Sequence, residues 1–350
     1  MADIMHLKGF LWSVGRCGTK AFVEAINGHT DARSLNWIDS PNVVESPEYF
    51  GRLATGGFVP TLHQPQLCDK FAQLVQSYPD LPVVYSVRDP ISNLRSFAEV
   101  FLSSFIGRRI DEIAAFEKKG GAVEKTFNPE LLDQLVLPSA DIWGHYKGFK
   151  DSPHLIVEFS EIGEASFVET MTRVNEFLGL ETTTPIVWPG VSNRGCDKFF
   201  VFYTRAFQLF DRNINLYFTR WKDYWPEQNL KKIGTLKSTA LDPVIGEGEE
   251  LQVLASTSQL CTEDLWAFEM EAFDTLFSDA AAADKIADQV VADYEYVTQT
   301  VAREAPAIKN KLCAKFDKTY RNGVRRFLKE HPDYLDLWTD WSARYEKEAA

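Results

Sequence analysis

The stretch FLWSVGRCGTKAFVEAI, residues 10–26, reads as an apolar strand, a glycine-punctuated basic loop and then a helix. Such a turn suits an anion, because glycines let backbone N–H groups approach it and the following helix adds its positive end. It is not the ATP-binding P-loop, which needs Gly, four residues, then Gly-Lys-Ser/Thr. Here only Arg16 and Cys17 separate Gly15 from Gly18, and Lys20 does not follow Gly18 directly. Arg16, Thr19 and Lys20 add charge and a hydroxyl donor to the same loop.

Working outward, the N-terminal half alternates strands with helices. HLKGFLWSV (6–14), PVVYSV (82–87) and HLIVEF (154–159) read as strands, and 19–27 and 166–180 as amphipathic helices. Asp89 and Pro90 form an N-cap and first helical position for a helix carrying Leu94, Phe97, Phe101 and Phe105. This order predicts an α/β fold with a central parallel sheet flanked by helices, its ligands held at the carboxyl ends of the strands. Residues 199–233 are rich in aromatics, and 237–258 read as a linker or irregular excursion. Helical patterns follow at 262–278, 280–303, 306–330 and 333–347. The expected organisation is an α/β domain over 1–235, a linker over 236–261 and a mostly helical C-terminal extension over 262–350, packed on the core.

The chain has 350 residues and a formal charge of −13, which argues against a nucleic-acid binder with a broad basic face. An acidic protein that binds an anion must gather its Arg and Lys locally. No apolar run is long enough to span a membrane, and MADIMHLKGF lacks the basic and apolar regions of a secretory signal, so the expectation is a cytosolic protein. Cys17, Cys68, Cys196, Cys261 and Cys313 show no metal-binding spacing and are expected to be reduced thiols.

A second basic position lies in VVYSVRDPISNLRS: Arg88 follows the apolar strand, and Ser96 lies eight residues further on. An Arg at a strand's carboxyl end grips a phosphate with two donors. With both pieces in order, the sequence resembles the sulfotransferases that use 3′-phosphoadenosine 5′-phosphosulfate (PAPS). Arg16-Cys17-Gly18-Thr19-Lys20 is similar to their 5′-phosphosulfate loop, and Arg88-Asp89-Pro90 with Ser96 to their 3′-phosphate motif. LIVEFSEI ahead of VNEFLGL resembles a third segment and sets Phe159 near the adenosine. VSNRGCDK offers Asn193-Arg194-Gly195 where the family clasps the 3′-phosphate. The resemblance covers about residues 6–198. It departs at Cys17, where the family has Ser, at Lys20, where it has a second Thr, and at Arg16, where many members have a catalytic Lys.

The resemblance implies transfer of a sulfuryl group from PAPS to a hydroxyl or amine of a small-molecule acceptor, leaving 3′,5′-ADP and requiring no metal. Arg16, assisted by Lys20, would offset charge on the leaving oxygen. His63 in PTLHQPQ matches the His-x-Pro of the family's general base, with Glu45 or Glu48 in NVVESPEYF as the alternative. Two other readings stay open: a P-loop kinase-like phosphotransferase, and a nucleotide-binding or interaction protein without turnover.

Overall fold

The computed structural model describes residues 7–13, 15–34, 57–62, 67–123, 136–190, 199–200, 203–220, 229–260 and 263–345. The chain divides into two compact units, one drawn from 1–97, 128–192 and 309–350, the other from 98–127 and 193–308. The division differs from the three consecutive blocks expected from sequence.

The first unit is built on a four-stranded parallel sheet. Strand β1 (Phe10–Trp12) leads through the glycine loop into helix α1 (Thr19–His29). Two short strands, β2 (Arg33–Ser34) and β3 (Phe58–Val59), pair with each other. Strand β4 (Thr61–Leu62) is followed by helix α2 (Cys68–Gln76), and β5 (Val83–Val87) by helix α3 (Pro90–Gly107). Helix α4 (Ile142–Lys147), strand β6 (His154–Glu158) and helix α5 (Phe167–Leu178) complete the run. The strand order is β4-β1-β5-β6, and every pairing is parallel.

Alternation along β1 sorts the two faces of the sheet. Leu11 joins Val84, Val157, Phe22, Ile26, Phe167, Met171 and Val174 in one apolar layer under α1 and α5. Phe10 and Trp12 meet Phe71 of α2 on the other face at ring distances of 5.8 and 5.3 Å, and Trp12 and Tyr85 meet Phe149 at 5.1 and 5.0 Å. With both faces covered, β5 is buried along its whole length, and Ser86, its one hydroxyl outside Tyr85, is hydrogen-bonded to the Cys17 carbonyl. Gly179 ends α5 in the left-handed conformation (φ 62°), and the Leu180 N–H returns to the Asn175 carbonyl at 2.9 Å. In α3 the buried ridge is Ile91, Leu94, Ala98, Leu102 and Ile106, while the expected Phe97, Phe101 and Phe105 are half-buried.

The second unit holds an antiparallel sheet in the order β7-β8-β10-β9, made of β7 (Tyr203–Leu209), β8 (Arg212–Thr219), β9 (Leu230–Leu236) and β10 (Leu251–Ser256). The segment expected to be a linker therefore contains β10, which pairs with both β8 and β9. Leu251, Val253 and Ala255 are fully buried, so burial of alternate residues orders a stretch whose glycines and acids suggested a loop. Helix α6 (Glu263–Ser278) lies on β9 so closely that a Cβ on Gly234 would meet Phe277 at 2.3 Å.

Helix α7 (Ala280–Thr319) runs through Pro306, where the sequence suggested a break. Proline in a helix interior costs about 3 kcal/mol. Burial of Ala305, Ile308 and Leu312 on both sides of it offsets that loss. Residues 309–350 belong to the sheet's own unit. There helix α8 (Arg321–Glu330) packs on α4, with Phe327 5.6 Å from the Tyr146 ring and Gly323 backed against Trp143. The last described helix, α9 (Thr339–Tyr345), buries Trp341 against Phe316.

Candidate functional site

β1 and β5 are neighbours and run the same way, so the loop after one and the helix after the other open at the same sheet edge. In the first loop Gly15, Arg16 and Gly18 have φ of 25°, 63° and 84°. Positive φ at three of four successive residues makes a sharp turn immediately ahead of the N-terminus of α1. Gly18 precedes α1 without a capping side chain, and the first turn of α1 carries no acid. The positive end of the helix therefore meets no carboxylate of its own.

Two glycines are demanded by packing as well as by φ. A Cβ on Gly18 would sit 1.8 Å from Ile162 Cδ1, and one on Gly15 2.4 Å from Phe97 Cζ. Around them the loop is pinned from inside. Ser86 Oγ donates to the Cys17 carbonyl (2.5 Å), and Asn93 Nδ2 donates to the Gly15 carbonyl (3.4 Å). Thr19 Oγ1 donates to the Ser13 carbonyl and lies 2.9 Å from Ser13 Oγ. The Thr19 hydroxyl, expected to serve an anion, thus ties the two ends of the loop together.

Cys17 turns inward. The residue is 4% exposed, and its thiol donates to the Gly15 carbonyl at 3.6 Å and receives Asn93 Nδ2 at 3.6 Å. Burial pushes its pKa up to about 12, against the opposing pull of Arg88 and Arg16. The loop therefore holds a neutral thiol inside it.

The basic groups meet across the edge. Arg16 donates its Nε–H to Ser96 Oγ at 3.2 Å, and Arg88 donates from Nη1 to the Arg16 carbonyl at 3.1 Å. The Arg88 guanidinium also lies 4.2 Å from the centre of the Phe159 ring. Burial lowers the Arg88 pKa; Arg95 acts in the same direction, and Cys17, Glu158 and Asp89 act against it. A partly desolvated guanidinium beside a second cation gains from an incoming anion. Lys20 of α1 is half exposed and lies 3.5 Å from Glu24.

Asp89 caps α3 as expected, with Oδ1 accepting from the N–H groups of Ile91 (2.8 Å) and Ser92 (3.3 Å). Its Oδ2 accepts from the N–H of Trp341 at 2.9 Å. Burial raises the Asp89 pKa, and these three N–H groups oppose the rise. Glu158, at the end of β6, is similarly occupied by the N–H and hydroxyl of Ser160 at 2.5 Å each.

The structure thus brings together Arg16, Cys17, Gly18, Thr19, Arg88, Ser96 and Phe159. His63, Glu45, Glu48, Asn193, Arg194 and Gly195 lie outside the described residues. Ser86 and Asn93 were not singled out from sequence, although the spacing of Asn93 with Asp89 and Ser96 on one helix face was a usable signal. No group of three or more His, Cys, Asp or Glu side chains suited to a metal ion occurs among the described residues. No described helix is long and apolar enough to cross a membrane. No protein-family model matches the chain, and no curated protein matches it either.

Proposed function

We propose that this chain is a sulfotransferase that uses PAPS as donor and a small molecule bearing a hydroxyl or amine as acceptor. The observation that carries the reading is the junction of Arg16, Ser96 and Arg88 at the shared edge of β1 and β5. Two motifs far apart in sequence supply one set of donors there: two guanidinium groups, a hydroxyl and the amides of a left-handed turn. That donor set fits a nucleotide with charge at both ends, one end on the loop and the other on the start of α3. Phe159, stacked under Arg88, offers a flat apolar surface beside it.

When bound, PAPS supplies the sulfuryl group, whose S–O bond to the bridging phosphate oxygen breaks as the acceptor forms its own bond to sulfur. Arg16 and the loop amides offset the charge that grows on the leaving oxygen. Arg88 and Ser96 hold the 3′-phosphate and fix the donor's register. His63, or Glu45 or Glu48, takes the acceptor's proton.

A kinase-like phosphotransferase needs a strand-end carboxylate for Mg²⁺. Of the acids at the ends of β5 and β6, Asp89 has both oxygens engaged by backbone N–H groups and Glu158 has Oε2 engaged by Ser160. Two observations favour a binder without turnover: Lys20 pairs with Glu24, and the Thr19 hydroxyl is turned inward. Labelled PAPS offered with a panel of alcohol, phenol, amine and carbohydrate acceptors decides between them. Label transfer supports the enzyme; tight donor binding with no transfer to any acceptor supports the binder. ATP with Mg²⁺ preferred over PAPS would overturn both.

A further inference from the structure

The turn that presents Arg88 is held from an unexpected side. Asp89 Oδ2 receives the N–H of Trp341, a residue 252 positions away in the first turn of α9. One residue earlier, Asp340 Oδ2 accepts from Ser92 Oγ at 2.7 Å and lies 3.2 Å from Arg95 Nη1. Three positions in the first two turns of α3, namely 89, 92 and 95, are thereby tied to one short helix. They lie between Arg88 and Ser96, the two residues whose spacing grips a phosphate in the proposed function.

The helix making these contacts is itself firmly seated. Trp341 is buried, its ring against Phe316 and Tyr345. Arg344 bonds Asp317 of α7 at 2.7 Å, and Arg321 of α8 covers the Tyr345 ring at 4.3 Å. Asp340 differs from these core residues: its side chain is 28% exposed and its partner Arg95 47% exposed. A pair so exposed contributes little to global stability. Its effect is local, on the direction in which α3 begins.

We infer that α9 is a working part of the Arg88 subsite, and that Asp340 is its positioning residue. By holding Ser92 and Arg95, with Trp341 holding Asp89, it fixes the start of α3 so that Arg88 and Ser96 close on the same phosphate. The inference rests on the donor reading above and extends it to a segment outside the resemblance. The chemistry served is a ribose 3′-phosphate, which 3′,5′-ADP carries and 5′-AMP lacks.

Calorimetry on the full chain tests this, with 3′,5′-ADP and 5′-AMP as probes and melting temperature measured beside it. Asp340→Ala should weaken 3′,5′-ADP about tenfold, a coupling usual for residues in contact, while 5′-AMP stays within about twofold and the melting temperature holds. Asp340→Asn, which keeps an oxygen for Ser92 but loses the charge facing Arg95, should fall between wild type and Asp340→Ala. Asp89→Asn caps α3 as well as Asp but turns an amide toward the Trp341 N–H on the other side, and should show the same selective loss. Unchanged 3′,5′-ADP binding by Asp340→Ala overturns the inference and leaves the donor reading intact. So does an equal loss for both nucleotides with a fall in melting temperature, which marks a merely structural role. A wild-type chain that does not bind 3′,5′-ADP overturns both.

Discussion

Arg16 donates its Nε–H to Ser96 Oγ across 3.2 Å, and the Arg16 carbonyl in turn receives Arg88 Nη1 at 3.1 Å. The loop after β1 is thus bonded both to the end of β5 and to the helix that follows it. Arg16 holds a left-handed conformation at φ 63°, which costs a non-glycine residue about 1–2 kcal/mol. Two charge-assisted hydrogen bonds are enough to offset that. The strain keeps side chain and carbonyl of one residue engaged on two neighbouring elements.

From this geometry, Arg88→Ala should abolish the preference for 3′,5′-ADP over 5′-AMP. The lost charged hydrogen bonds correspond to roughly ten- to a hundredfold in affinity for 3′,5′-ADP. Arg88→Lys should recover little, since an ammonium cannot reach the Arg16 carbonyl and a phosphate with a planar fork. Calorimetric titration of the two nucleotides reads the ratio directly. A wild-type ratio near unity, or one that survives in Arg88→Ala, would remove Arg88 from the role.

The glycines give a prediction about folding. Gly18→Ala faces a φ of 84° and a Cβ 1.8 Å from Ile162 Cδ1. Left-handed strain and overpacking together should cost about 2–4 kcal/mol. Ile162→Val removes the clashing methyl, so the double variant should melt above Gly18→Ala, with only the backbone part of the loss remaining. Equal melting temperatures for wild type and Gly18→Ala would contradict the loop conformation.

How much of this was legible follows from how local each signal is. The glycine loop, the apolar run of β5, the Asp89-Pro90 helix start and the Gly179 helix end are all set by neighbouring residues. The antiparallel sheet was not legible, because β10, which lies in the stretch read as a linker, is ordered by pairing across the chain with β8 and β9. The inward turn of Cys17 and the Thr19–Ser13 bond depend on what lies beneath the loop. The Asp340–Ser92 bond spans 248 positions, beyond the reach of any local pattern.

Cys17 carries a prediction about pH. Its thiol is raised by burial from 9.0 to about 12. Above pH 9 the unfolded chain releases this proton while the folded chain keeps it. The stability Cys17 contributes is therefore complete below pH 9 and lost as pH rises from 9 to 12. Urea midpoints for wild type and Cys17→Ser should stay a constant interval apart below pH 9 and converge or cross above it. Cys68, also raised by burial, acts in both proteins and cancels in the comparison, whereas Tyr85, raised by burial and further by Cys17, adds to the wild-type loss in the same direction. The native thiol should also resist alkylation until the chain unfolds. Parallel midpoints at every pH, or rapid labelling of native Cys17, would place the thiol outside the core.

In the proposed reaction the acceptor's proton goes to His63, Glu45 or Glu48, all outside the described residues. The case for His63 rests on its neighbours: β4 ends at Leu62, one residue before it in sequence, and β4 runs parallel beside β1. His63→Ala should spare 3′,5′-ADP binding, because no donor phosphate needs an imidazole. Single-turnover sulfation should slow by about two to four orders of magnitude, the usual contribution of a positioned base. Near-normal turnover by His63→Ala, with collapse in Glu45→Ala or Glu48→Ala, assigns the proton to that Glu instead.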